Sequence, residues 1–322
     1  MKRRNMTSII AIFLLLCMVL SACGQTESVT TVPEETMNIY QKSDPAQDDT
    51  LNLLMIGNSG CYYFVEELYG LAEAAGIKMR VCNVYYSGCN LNQHWTWWKS
   101  GEANYTYYTT DENGRVPTEG CNLEYCLQQQ NWDFISLQES GTGKLRSLSV
   151  ETFLNDRTQY LDDLYGYLRE QFPMSKLYWQ QNSAYQVGYN MSFEVSGLED
   201  QRKDTVNFRE LAIAISQKYN VDWIPSGEAS MIVRENGYDN LCARLGKGAN
   251  HEGDYYHNGD IGGGQYLTAC VWFEMLTGQS CIGNSYRPVY TYQGQTFELD
   301  EGFVVQLQEA AHQAVATMAL PD

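Results

Sequence analysis

Basic residues are scarce: 21 Lys and Arg stand against 39 Asp and Glu in 322 residues, a formal net charge of −18. So acidic an exterior argues against nucleic acid and anionic lipid as partners. Histidine is scarcer still, at four residues (His94, His251, His257 and His312), so general-base chemistry has few candidates. The cysteines follow no zinc spacing, and the glycines at Gly57 and Gly262-Gly263-Gly264 lack both the P-loop lysine and the dinucleotide spacing. No internal repeat is visible. The one long apolar run, Ile9 to Leu20, falls short of the roughly 20 residues that span a bilayer.

What that run does have is three positive charges before it (Lys2, Arg3, Arg4) and Leu20-Ser21-Ala22-Cys23 after it. This order of charged, apolar and small residues is that of a secretory signal. Its last four residues resemble the lipobox of bacterial lipoproteins, which implies cleavage before Cys23, lipidation of that cysteine and an extracytoplasmic protein held at the cell membrane. Removing residues 1–22 strips three positive and no negative charges, so −18 becomes −21. Residues 23–50 are polar, acidic and without apolar periodicity, which predicts a flexible linker. Residues 51–322 then fit one domain. Eight cysteines remain beyond Cys17 and Cys23, in a setting that permits disulfides. Cys61 and Cys89, each just past a strand end, form one candidate pair, and buried free thiols are the alternative.

Short apolar runs alternate with helical patterns along the domain. Strands are predicted over 51–56, 78–86, 132–137, 176–181 and 221–224. Helices are predicted over 61–75, 149–172, 204–218, 264–276 and 301–318. The alternation predicts an α/β protein, a three-layer α/β/α fold around a mostly parallel five-stranded sheet. Between about 95 and 120 the pattern breaks into an aromatic insertion with a hairpin at Asn113-Gly114. Insertions of this kind ride at strand ends, where ligands bind. Trp95, Trp97, Trp98, Tyr105, Tyr107 and Tyr108 could there stack on sugar rings, or simply pack the hairpin.

Two segments carry chemistry. Ser59 follows the first strand directly, in Gly57-Asn58-Ser59-Gly60, either as a helix N-cap or as a nucleophile near backbone N–H groups. Asp254 and His257, three residues apart, can meet across one turn, the carboxylate fixing the tautomer that leaves Nε2 as base. His251, Asp254 and His257 are also metal-capable types, but Gly253 and Gly259 argue against one regular helix, and no metal or other cofactor is expected. His94 and Trp95 are candidates to line the site, with Asn58 and Asn90. His312 reads as surface or packing.

Gly57-Asn58-Ser59 after strand one, Gly88 after strand two and Asp254-x-x-His257 near the end resemble the SGNH (GDSL-like) hydrolases. The segments 86–95, 132–140, 223–229 and 255–278 are similar to a bacterial SGNH-like group of unassigned function. The resemblance implies a flavodoxin-like fold with Ser59 as nucleophile, His257 as base and Asp254 as its orienter, and oxyanion N–H groups from Ser59 and Gly88. The family's Gly-x-Asn-Asp motif is absent. Gln138, in Leu137-Gln138-Glu139-Ser140, stands where its asparagine would supply the third donor. The expectation is a serine esterase or deacetylase acting on acylated carbohydrate at the cell surface, with a catalytically inactive glycan-binding lipoprotein as the alternative.

Overall fold

Leu51–Gly57 (β1) is apolar on both faces and almost wholly buried, the composition of a strand covered from both sides. The structure, a computed structural model, describes residues 49–140, 142–247 and 254–318. The signal, Cys23, the linker to residue 48 and His251 lie outside the described residues. Beyond β1 come α1 (Val65–Ala74), β2 (Met79–Tyr85), α2 (Leu91–Ser100), β3 (Tyr105–Asp111), β4 (Gly114–Cys121), α3 (Leu123–Leu127) and β5 (Phe134–Leu137). The second half holds α4 (Val150–Asn155), α5 (Thr158–Gln171), β6 (Lys176–Gln180), α6 (Leu198–Tyr219), β7 (Asp222–Ile224), α7 (Ser226–Glu235) and α8 (Gly264–Thr277). A small hairpin, β8 (Val289–Tyr292) and β9 (Gln295–Glu298), precedes the last described helix, α9 (Glu301–Met318).

Seven strands form the main sheet, in the order β4-β3-β2-β1-β5-β6-β7. The five predicted strands are its parallel part, β2-β1-β5-β6-β7. The other two correct the predicted strand count: β3 and β4 are the aromatic hairpin, and β3 pairs antiparallel with β2. The hairpin turns at Glu112-Asn113 with Gly114 at φ +81°, and it extends the sheet sideways instead of riding over the strand ends. Its alternation explains this, because Tyr105 and Tyr107 point into the core from one face of β3. Residues 95–100 belong to α2, which the sequence reading missed.

Alternate residues of β1 feed two cores. Leu54 and Ile56 join a cluster with side chains of α2 to α6, while Leu53 and Met55 join one with α1, α7, α8 and α9. The result is the three-layer α/β/α arrangement. The long helical pattern over 149–172 is two helices, α4 and α5, with Asp156 and Arg157 between them. Because β1 has β2 on one side and β5 on the other, the chain leaves β1 and β5 in opposite directions, which opens a crevice at their carboxyl ends. All eight described cysteines are buried free thiols, so Cys61 and Cys89 are not bonded to each other. Each instead turns to a backbone carbonyl, Cys61 to Asn58 at 3.2 Å and Cys89 to Asn90 at 3.8 Å. Among the described residues no helix is long and apolar enough to cross a membrane.

Candidate active site

The crevice begins where β1 ends. The chain leaves Gly57 through a short 3-10 turn, Ser59–Cys61, and Asn58 caps it: its Oδ1 accepts from Gly60 N at 2.9 Å. Asn58 Nδ2 donates to the carbonyl of Cys89 at 2.8 Å, which ties the turn to the loop after β2. Helix α1 starts only at Val65, with no side-chain cap. Capping is therefore Asn58's role, and the Ser59 hydroxyl lies 2.7 Å from Nε2 of His257, 198 residues away in sequence.

His257 is oriented from behind. Its Nδ1 bonds to Oδ2 of Asp254, and its backbone N donates to Oδ1 of the same carboxylate at 2.9 Å. The carboxylate accepts from Nδ1–H, which leaves Nε2 as acceptor for the Ser59 hydroxyl. Arg244 Nη1 reaches Asp254 Oδ2 at 3.4 Å, and its guanidinium sits 4.1 Å over the Tyr63 ring. Burial alone would raise the Asp254 carboxyl, but hydrogen bonds from His257 and the Arg244 charge outweigh it and hold the group below the usual carboxylate range. The chain between the two residues is not helical. Tyr255 takes the left-handed region at φ +62°, sparsely populated for a bulky residue, and its carbonyl accepts from Gln186 N at 2.7 Å. That kink brings Asp254 back onto the imidazole; the three-residue spacing was legible in the sequence, the strain was not.

Gly88 and Gln138 line the cleft beside Ser59. Gln138 is buried, and its Oε1 accepts from Asn58 N at 3.4 Å. A Cβ on Gly60 would collide with Gln138 Nε2, so glycine is what lets this amide lie across the turn next to Ser59. Gly88 sits at φ +68°, and its carbonyl accepts from Ser140 Oγ at 3.1 Å. From the end of β6, Gln180 Nε2 donates to Gly60 O at 2.8 Å, holding the turn from the other side.

Three predicted lining residues lie elsewhere. Asn90 is the N-cap of α2, in a capping box with Gln93. His94 is wholly buried with Nδ1 2.9 Å from the Tyr105 hydroxyl, and burial lowers its pKa to about 3. Trp95 donates its indole N–H to Asp163 at 2.7 Å. The aromatic insertion packs on itself and its neighbours, Trp97 on Tyr86 and Tyr105, Trp98 on Tyr167, and Tyr108 on Tyr62 and Tyr85. His312 pairs with Glu274 at 3.0 Å.

The aromatic rings of the cleft are instead Tyr63, Tyr185 and Tyr256, with Phe64. The cleft holds about 210 Å³, and amides and hydroxyls from Gln180–Ser183, Ser226 and Asn258 complete it. None of its described lining residues is Asp, Glu, Lys or Arg. Gln181 to Ser183 follow the end of β6 as Ser59 follows β1, and the same strand-end rule would have marked them.

Similarity to known proteins follows the fold. A crystal structure of a DUF4886 family protein from Bacteroides uniformis ATCC 8492 is 27% identical, with TM-score 0.68 over 85% of this chain and 98% of its own. A protein described as a GDSL-like lipase from Parabacteroides merdae ATCC 43184 is 16% identical, with TM-score 0.45 over 74% of this chain and 98% of its own. An acetylxylan esterase from Geobacillus stearothermophilus is 15% identical, with TM-score 0.43 over 70% and 94%. Curated proteins give no match. In this chain the serine follows the first strand and the Asp-x-x-His precedes a late helix. Residues 52–297 match the family described as Domain of unknown function (DUF4886), and the chain belongs to that family.

Proposed function

We propose that the protein is a serine esterase or deacetylase that removes acyl groups, acetyl first among them, from carbohydrate. The observation that carries this reading is the Ser59–His257–Asp254 chain, with a serine hydroxyl 2.7 Å from an imidazole whose other nitrogen is held by a carboxylate. Ser59 Oγ attacks the ester carbonyl while His257 Nε2 takes its proton. The N–H groups of Ser59 and Gly88 and the Gln138 amide hold the negative oxygen. Collapse expels the alcohol, protonated by His257, and water then attacks the acyl-serine and releases the acid. Asp254 stays anionic and supports the charged imidazole. An uncharged cleft lined by amides, hydroxyls and tyrosines suits a small acyl group on a neutral sugar better than a long acyl chain or a phosphorylated alcohol.

Acetylated methyl glucoside is the test substrate. Ser59→Ala and His257→Ala should each lower turnover roughly 10⁴-fold or more, and the double variant should be scarcely worse, since residues acting as one unit lose nearly everything singly. A chain that binds the glucoside without hydrolysing it would replace this reading with that of a glycan-binding protein. We also propose, from residues 1–23 alone, that the protein is lipidated at Cys23 and works outside the cytoplasm on the cell membrane. Detergent-phase partitioning tests this, and partitioning unchanged in Cys23→Ser would refute it.

A further inference from the structure

The proton path divides the cleft. His257 must return its proton to the leaving oxygen, so the departing alcohol has to come within hydrogen-bond reach of Nε2. The carbonyl oxygen goes the other way, toward Gly88 and Gln138. The alcohol's remaining atoms therefore rest on whatever flanks the imidazole. Two rings do, Tyr63 with its centroid 4.8 Å away at 61° and Tyr256 at 4.3 Å and 53°.

The two rings are not equivalent. Tyr63 already carries the Arg244 guanidinium 4.1 Å over its ring. Tyr256 is 40% exposed, and its ring packs against Tyr185 at 6.0 Å and Tyr189 at 6.2 Å. A fixed, exposed aromatic face beside a neutral wall of amides fits one kind of alcohol well. A pyranose has an apolar C–H face for the ring and hydroxyls for the amides, and it has no charge to leave unpaired.

We propose that Tyr256 is the leaving-group platform: the sugar whose ester is cleaved stacks on its exposed face, which aligns the ester oxygen with His257 Nε2. This rests on the esterase reading above. The platform is a specificity determinant in binding and takes no part in proton transfer.

The test compares two acetate esters hydrolysed by the full chain, acetylated methyl glucoside and ethyl acetate, whose alcohol has no ring. Tyr256→Ala should lower kcat/KM on the glucoside about 10-fold more than on ethyl acetate, chiefly through KM. Tyr256→Phe keeps the face and should stay near wild type on both. An equal loss on both esters in Tyr256→Ala would show that the ring only props up His257, and no loss on the glucoside would show that sugars do not touch it; either overturns the proposal. Loss in Tyr256→Phe equal to that in Tyr256→Ala would assign the effect to the hydroxyl and overturn it too. If the wild-type chain cleaves ethyl acetate and not the glucoside, the platform and the carbohydrate substrate fail while the serine-esterase chemistry stands. If it cleaves neither, the esterase reading itself falls and the platform with it.

Discussion

Glu139 sits between two cleft residues, Gln138 and Ser140, and is itself buried, with one oxygen 3.2 Å from Arg157 Nε. Burial pushes its carboxyl up to about 7, against the pull of Arg157. A carboxyl raised in the folded state favours folding when protonated. Its contribution is therefore complete below the unfolded value near 4.5 and is lost as pH rises through about 7. Glu139→Gln cannot ionise, so its unfolding free energy should not share that loss. The two proteins should diverge by about 3 kcal/mol between pH 4 and pH 8 in urea titrations. Parallel curves would contradict the assignment. At this scale the sequence was legible where chemistry demands a rare residue: of four histidines, only His257 and His312 have a carboxylate three positions before them, and His312 falls inside the helical pattern of 301–318. It misled at Asn90, His94 and Trp95, because capping, burial and an indole bond to Asp163 leave no separate mark in a string of polar and aromatic letters.

The central strands were readable because burial on both faces demands mostly apolar runs, as in the Leu51–Gly57 and Phe134–Leu137 strands, each carrying one polar residue, Asn52 and Ser136. The hairpin of Tyr105–Asp111 and Gly114–Cys121 was readable as a hairpin through its Asn-Gly turn, while its destination was not. Whether a hairpin adds to a sheet edge or stands over the strand ends depends on which neighbour its inward face meets, a long-range contact here made with Met79–Tyr85. The same limit hid the break between Val150–Asn155 and Thr158–Gln171, since the apolar spacing continues across Asp156 and Arg157. The loop that carries Asp254 and His257 shows the opposite case. Its residue types were plain, yet its shape depends on Tyr255 at φ +62° and on the bond from Gln186, set by the chain after Lys176–Gln180.

Across the described residues, the strand order places Ser59, Gly88, Gln138 and Gln180, at the carboxyl ends of four different strands, around one crevice, and the Asp254–His257 loop closes it. The sequence carries a formal net charge of −18, yet the described lining of the cleft has no Asp, Glu, Lys or Arg, so a ligand there meets shape and hydrogen bonding rather than a charged partner. The central claim is that Ser59 is an activated nucleophile, and nucleophilicity is read most directly by covalent capture. The intact protein treated with a fluorophosphonate should take up one equivalent of label, found on Ser59 by peptide mass spectrometry, with labelling slowed by His257→Ala and abolished by Ser59→Ala. A wild-type chain that takes no label, or a Ser59→Ala chain labelled as fast as wild type, would contradict it.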